Sequence, residues 1–308
     1  IDFNGDGYDD LFTGRSTNSS DQPRLYLFRG SATGLETSPI TIAYSLQSLD
    51  GNSSIGVGDV DGDGYGDIAF GMPNPGEDRV PSLVVLHGNP ENDILQRVEH
   101  MERRDEWFPP LFFASSLAGG DYNGDGLADI TCGAMGAIHV AYGTSEGIER
   151  GALLLIPPVG TVVGGFGENL LIQGDIDGDG RTDLVAGAAC ASGVPSPMFP
   201  CWYGLIYLFR SSADGVRRTW ERHLFPYYLG DDSGFGPPAS PGDLNGDGHD
   251  DLVVGSVGSV PPDSGVFPPD DVIRGALHGY FGGRWDWERP SFTVRSPGLG
   301  IQIGRRLY

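Results

Sequence analysis

Asp59-Val60-Asp61-Gly62-Asp63-Gly64-Tyr65-Gly66-Asp67 is one of five copies of a single pattern, Asp-x-[Asp/Asn]-Gly-Asp-Gly-x-x-Asp. The others run Asp2–Asp10, Asp121–Asp129, Asp175–Asp183 and Asp243–Asp251. Alternate side chains in a tight loop bring oxygens to one point, and Ca²⁺ takes roughly six to eight hard oxygen ligands. Positions one, three and five supply Asp or Asn oxygens, position seven a backbone carbonyl, and position nine a further carboxylate. The expected ligands are Asp2, Asn4, Asp6, Tyr8 and Asp10 in the first loop, and Asp59, Asp61, Asp63, Tyr65 and Asp67 in the second. They continue as Asp121, Asn123, Asp125, Leu127 and Asp129, then Asp175, Asp177, Asp179, Arg181 and Asp183, then Asp243, Asn245, Asp247, His249 and Asp251. About five Ca²⁺ ions are therefore expected. The Gly at position six permits the sharp turn. The second and fourth loops, with Asp61 and Asp177 at position three, are expected to bind more tightly, because ligand charge tunes affinity.

The loops start 57, 62, 54 and 68 residues apart, a period that points to a solenoid, a propeller or an array. After each loop comes a short apolar run, as in Asp67-Ile68-Ala69-Phe70, then a second such as Leu83-Val84-Val85-Leu86. A third follows, as in Ile40-Thr41-Ile42, and a fourth leads into the next loop, as in Ser116-Leu117-Ala118-Gly119-Gly120. These have strand length, and no helical period competes. Four short antiparallel strands per unit make a propeller blade. The expected fold is all-β: one β-propeller domain spanning 1–308, with five four-stranded blades and repeats starting near 2, 59, 121, 175 and 243. Residues 302–308 resemble the strand before a loop. They are expected to pair with the first blade and close the ring, removing exposed sheet edges.

On these loops, the turns Gly30-Ser31-Ala32-Thr33-Gly34-Leu35 and Gly143-Thr144-Ser145-Glu146-Gly147-Ile148, and the pairs Phe166-Gly167 and Phe235-Gly236, the chain resembles the FG-GAP repeat family of integrin α subunits and bacterial surface proteins. The resemblance covers nearly all 308 residues. It implies a calcium-binding propeller used for adhesion or recognition. It also raises an alternative to five blades, because integrin-type relatives carry seven and this chain would then be part of a seven-bladed ring.

Composition narrows the partners. The net charge is −23, and the loops hold 17 carboxylates at positions one, three, five and nine. Five Ca²⁺ would bring the charge to −13, so the metal-free protein should repel itself. The remaining acidity argues against nucleic acid, which requires Lys and Arg on phosphates. No apolar run reaches the roughly 18 residues of a membrane span. Cys190 and Cys201 bracket a Pro-rich stretch and are expected to form a disulfide, whereas Cys132 reads as a free core thiol. With no signal peptide and no initiating Met, the chain reads as a mature or excised extracellular or cell-surface domain.

Catalysis is not expected. No Gly-x-Ser-x-Gly elbow, His-Glu-x-x-His pair or phosphate loop is present. His87, His139 and His278 read as packing or exposed strand residues. Three aromatic or Pro-rich loops stand out as binding candidates, at 101–113, 191–203 and 256–271. Trp107 and Trp202 lie in the first two, while Trp285 and Trp287 are two apart and face one side of a strand. Arg103 and Arg104 beside Trp107 could hold a carboxylate or an acidic sugar. The commoner fate of each aromatic is packing between blades, and that of the Arg pair is solvation. The expected role is a calcium-stabilised recognition module with a protein or glycan partner. The alternatives are a lectin and the accessory propeller of a polysaccharide-processing or phospholipase-type enzyme.

Overall fold

The computed structural model describes residues 1–15, 24–42, 54–72, 81–91, 97–102, 113–134, 136–155, 162–192, 205–219, 222–224, 234–257, 275–283 and 289–295. Every regular element among them is a strand, and all pairing is antiparallel within small sheets. The chain forms two compact units, Ile1–Leu154 and Leu155–Tyr308.

The first unit holds three sheets. Sheet one is β1 (Leu11–Arg15), β2 (Arg24–Phe28) and β3 (Ile40–Ile42). Sheet two is β4 (Ser54–Gly58), β5 (Asp67–Met72), β6 (Ser82–Leu86) and β7 (Val98–Glu102). Sheet three is β8 (Leu117–Gly120), β9 (Asp129–Ala134), β10 (Ala137–Thr144) and β11 (Gly147–Leu155). The second unit holds β12 (Val162–Gly174), β13 (Asp183–Ser192), β14 (Leu205–Phe209) and β15 (Arg222–Leu224) in one sheet. Its other sheet is β16 (Gly234–Gly242), β17 (Asp251–Val257), β18 (Gly275–Tyr280) and β19 (Phe292–Arg295).

The four-strand unit therefore exists, but its frame differs from the sequence repeat by one strand. Each acidic loop after the first lies inside a sheet, between its first strand and the next, as β4 pairs with β5 across the loop 59–67. Sheet one accordingly shows three strands among the described residues, and the loop 2–10 precedes its first. The expected closing segment, 302–308, lies outside the described residues.

Apolar faces of neighbouring sheets make the core. Phe3 and Leu27 pack with Ile68, Phe70, Val84 and Leu86 between sheets one and two. Val57, Leu83, Val85, Leu117, Ile130 and Cys132 fill the space between sheets two and three. In the second unit Val185, Ile206 and Leu208 meet Leu252, Val254 and Tyr280. Strands β5, β6 and β9 are buried along their whole length, so they read as continuous apolar runs rather than alternating ones. Cys132 is a free, fully buried thiol.

Turns between strands repeat as well. Ser31 Oγ donates to the Gly34 carbonyl at 2.6 Å, and Thr144 Oγ1 and Ser212 Oγ do the same for Gly147 and Gly215. Phe166, of the first Phe-Gly pair, is buried and meets Tyr207 edge-on at 5.8 Å.

Candidate metal loops

Each loop is a nest of side-chain-to-backbone hydrogen bonds with one plan. In the third loop Asp121 Oδ1 accepts the N–H groups of Gly124 (2.7 Å) and Asp125 (3.1 Å), and its Oδ2 accepts that of Gly126 (2.9 Å). Asn123 Oδ1 accepts the Asp125 N–H, and Asp125 Oδ1 accepts the Leu127 N–H, both at 2.9 Å. Corresponding bonds recur in the other four loops. The backbone must turn left-handed twice to allow this. The Gly residues at positions four and six all have positive φ, from +70° at Gly5 to +93° at Gly64. Sequence reading assigned this need only to position six.

Position nine behaves differently from the rest. Asp10, Asp67, Asp129, Asp183 and Asp251 are buried, whereas Asp6, Asp63 and Asp125 at position five are exposed. Asp129 Oδ2 accepts the Tyr122 N–H at 2.8 Å, and its Oδ1 accepts the Gly143 N–H at 2.9 Å. Asp10, Asp67 and Asp251 make the same pair of bonds, to Phe3 and Gly30, Val60 and Gly88, and Leu244 and Gly282. The position-nine carboxylate thus clips the loop to the end of the second strand that follows it. Burial pushes Asp129 and Asp183 up to about 7, against backbone N–H donors that pull the other way. Asp10 is raised too, also by burial.

Consecutive loops are joined directly. The position-eight N–H of one loop donates to the position-one carbonyl of the previous loop, at 2.8 Å in each case: Gly66 to Asp2, Ala128 to Asp59, and Asp250 to Asp175. A backbone bond therefore links each loop to the next within its unit.

The donor set fits a hard divalent cation. Asp183 Oδ2 is buried without a hydrogen-bond partner, and it lies with oxygens of Asp175 and Asp177 in a set whose members are all within 4.8 Å of one another. Asp59, Asp61 and Asp63 form a second such set. An orphaned buried carboxylate oxygen beside two more carboxylates is costly without a counter-charge, and a cation held by Asp175, Asp177 and Asp183 would supply it.

Two features were missed in the sequence. Both third-position Asp residues face a basic group from the end of the neighbouring hairpin. Arg210 Nη1 is 3.3 Å from Asp177 Oδ2, and His87 Nδ1 is 3.2 Å from Asp61 Oδ2. Arg97 also contacts Asp61 Oδ2 through Nη1. His87 and Arg210 occupy the same repeat position, each just before the residue whose N–H meets the position-nine Asp. His87 is neither packing filler nor exposed. It is buried among Asp61, Asp67 and Glu99, and although burial lowers its pKa, Asp67 and Asp61 more than offset this and leave it raised. The extra carboxylate of each of these loops is thus met by a protein cation, Arg97 at the second and Arg210 at the fourth. That works against the affinity order expected from Asp count alone.

Of the ligand-binding candidates, Arg103, Arg104, Trp107, Trp202, Trp285 and Trp287 all lie outside the described residues, as does Cys201. Phe113, at the end of the first aromatic loop, is a core residue, edge-on to His139 at 5.1 Å.

Comparison with known proteins matches the FG-GAP-like repeat to residues 2–70 and 175–254, and the FG-GAP repeat to residues 113–147. This chain belongs to the FG-GAP repeat family. Its fold is a β-propeller, with blades that are the antiparallel sheets described above. Among relatives of this FG-GAP chain, mouse phosphatidylinositol-glycan-specific phospholipase D is 30% identical over 152 residues, covering 44% of this chain and 18% of that protein. Integrin alpha-5 of Xenopus laevis is 30% identical over 175 residues, covering 51% and 16%. The chain thus spans less than a fifth of the length of either relative. A solved structure of rhamnogalacturonan lyase YesW aligns over 91% of this chain and 64% of that one, with a TM-score of 0.42 and 11% identity. No helix among the described residues is long and apolar enough to cross a membrane, which says nothing of a β-barrel.

Proposed function

We propose that this FG-GAP propeller is a calcium-stabilised extracellular recognition module that binds a protein or glycan partner and performs no chemistry of its own. The observation that carries the reading is the loop plan itself. Five acidic turns of one plan are clipped to their sheets by position nine, carboxylate oxygens converge in the second and fourth, and within each unit consecutive loops are bonded to one another. Asp175, Asp177, Asp179 and Asp183, with the Arg181 carbonyl, would hold one ion, and the other loops would do likewise. The ion would neutralise repelling carboxylates and tie neighbouring blades together, leaving inter-blade loops free to meet a partner.

Binding to the folded state stabilises by mass action, by about 2.7 kcal/mol per site when free ion is a hundredfold above Kd. Chelation should therefore lower the melting temperature sharply, and an unchanged melt in excess EDTA refutes the calcium reading. A glycan array probed with and without chelator then separates partners. Calcium-dependent hits sharing one sugar identify a lectin, and a clean negative from folded protein directs the search to protein partners. The similarity to a phospholipase D favours a second reading, in which this propeller is an accessory domain beside a catalytic one. A catalytic domain adjoining it in the same polypeptide would support that reading.

A further inference from the structure

Beside the second loop lies a buried imidazole that faces two of its carboxylates. His87 follows β6, and its side chain is 2% exposed. Its Nδ1 is buried and makes no hydrogen bond, yet it lies 3.2 Å from Asp61 Oδ2 and 3.4 Å from Asp67 Oδ2. These three atoms form a buried set. On the other side of the ring, His87 Nε2 is 3.1 Å from Glu99 Oε1. Arg97 Nη2 donates to the same Glu99 oxygen at 2.7 Å, and its Nη1 reaches Asp61 Oδ2. Glu99 Oε2 accepts the Ile148 N–H at 3.0 Å, so this carboxylate is anchored independently of His87.

We propose that the second loop is a mixed nitrogen–oxygen metal site, in which His87 Nδ1, Asp61 and Asp67 take a borderline divalent cation of the Zn²⁺ or Co²⁺ class. Three observations support this. First, ligands about 2.1 Å from a tetrahedral ion stand about 3.4 Å apart, and His87 Nδ1 stands at 3.2 and 3.4 Å from the two oxygens. Second, a metal-bound His usually donates its other N–H to a carboxylate, which fixes the tautomer and the ring. Glu99 is placed to accept that proton, leaving the Nδ1 lone pair facing the acids. Third, Arg97 removes part of the negative charge on which a hard, oxygen-seeking ion depends, while imidazole suits the softer cations. The competing account is a protonated His87 acting as a plain counter-ion, as Arg210 does for Asp177. Nδ1 makes no well-aligned hydrogen bond to either oxygen, while Asp67 and Asp61 both favour the protonated ring, so titration with Zn²⁺ decides between the two accounts.

The inference rests on the reading of these loops as metal sites, and its test separates the two. Metal-free protein is titrated with Zn²⁺ by calorimetry, in wild type, His87→Gln and Glu99→Gln, with Ca²⁺ stoichiometry measured in parallel. The expected result is a Zn²⁺ site that weakens at least tenfold in either variant, a loss in the range of second-shell changes at other metal sites, while Ca²⁺ binding by the remaining loops persists. Equal Zn²⁺ affinity in wild type and both variants overturns the proposal and leaves the calcium reading untouched. Loss of Ca²⁺ binding everywhere with His87-dependent Zn²⁺ binding does the reverse. If the variants fail to fold, the wild type decides. Its Co²⁺ complex should show one exchangeable, hyperfine-shifted imidazole N–H proton in the NMR spectrum, and the absence of that proton overturns the proposal.

Discussion

Replacing Asp129 and Asp125 by Ala, one at a time, separates the two jobs that one loop performs. Both residues are expected to ligate the same ion, but only Asp129 also holds buried backbone. Its two oxygens accept the N–H groups of Tyr122 and Gly143 at 2.8 and 2.9 Å, in a site with no solvent exposure. Asp129→Ala strands both donors. A buried donor left without a partner costs about 1–3 kcal/mol, so the loss is about 2–6 kcal/mol without any metal. Asp125 is exposed, and its Oδ1 accepts one exposed N–H, from Leu127. Water replaces that bond, and Asp125→Ala should cost about 1 kcal/mol or less without metal. Urea unfolding in excess EDTA, followed by tryptophan fluorescence, measures both. Asp129→Ala should lower the midpoint strongly and Asp125→Ala barely, whereas in calcium both should fall short of wild type. Equal losses in EDTA, or an Asp129→Ala protein that differs from wild type only in calcium, would refute the assignment of position nine as a clip.

Three further outcomes are expected. Asp129 and Asp183 are raised to about 7 by burial, so the native state holds two protons that the unfolded chain has released above about 4. The stability this gives is full at low pH and lost as pH rises through 7, at about 1.4 kcal/mol per pH unit per group. Metal-free protein should therefore melt lower at pH 7 than at pH 5, and a rise over that range would contradict the burial argument. Gly88→Ala places a methyl group 2.5 Å from the Gly66 carbonyl oxygen and 2.6 Å from that of Phe3, backbone atoms that cannot move aside. It should cost about 1–3 kcal/mol or more, read as a fall in the urea midpoint. Thiol titration of denatured, unreduced protein should find one free thiol, Cys132, because Cys190 and Cys201 are expected to be paired; three would remove the disulfide.

Much of the blade was legible because its signals are local. The loop pattern is set by side chains that bond backbone two to five residues away, and the strands after each loop are short apolar runs bounded by Gly. The frame of the sheet was less visible. The strand before a loop is rich in Gly, as in Ser54-Ile55-Gly56-Val57-Gly58 and Leu117-Ala118-Gly119-Gly120. Its Gly content reflects crowding between neighbouring sheets: a Cβ on Gly119 would stand 3.1 Å from Val57 Cα, and one on Gly174 would stand 2.5 Å from Ser240 Oγ. Close approach of sheets selects Gly, and a Gly-rich strand carries little side-chain pattern to show which sheet it joins. That strand then seems to belong to the unit it follows, when hydrogen bonding assigns it to the one it precedes.

Charge at the loops carries the same lesson at longer range. Counting Asp at position three ranks the second and fourth loops as the most acidic, and a cation should then prefer them. The residue that would work against this ranking lies about 30 positions later, where a hairpin end returns to the loop. There the second loop meets His87, the fourth Arg210, and the other three Arg29, Tyr142 and Phe281. Arg29 is turned to Glu36 at 3.0 Å, so it leaves Asn4 alone. An extra carboxylate thus coincides with a basic group aimed at it, twice out of two. Buried like charges are costly unless compensated, and Arg97 at the second loop and Arg210 at the fourth place a positive charge beside the extra Asp. If these loops hold calcium, such a group would compete with the incoming ion, and the most acidic loops would gain structural security at the expense of affinity. Arg210→Gln should accordingly tighten calcium binding at the fourth loop while lowering stability in EDTA. If calorimetry shows affinity and metal-free stability falling together, Arg210 is a ligand-ordering group, and the counter-ion account of the fourth loop is wrong.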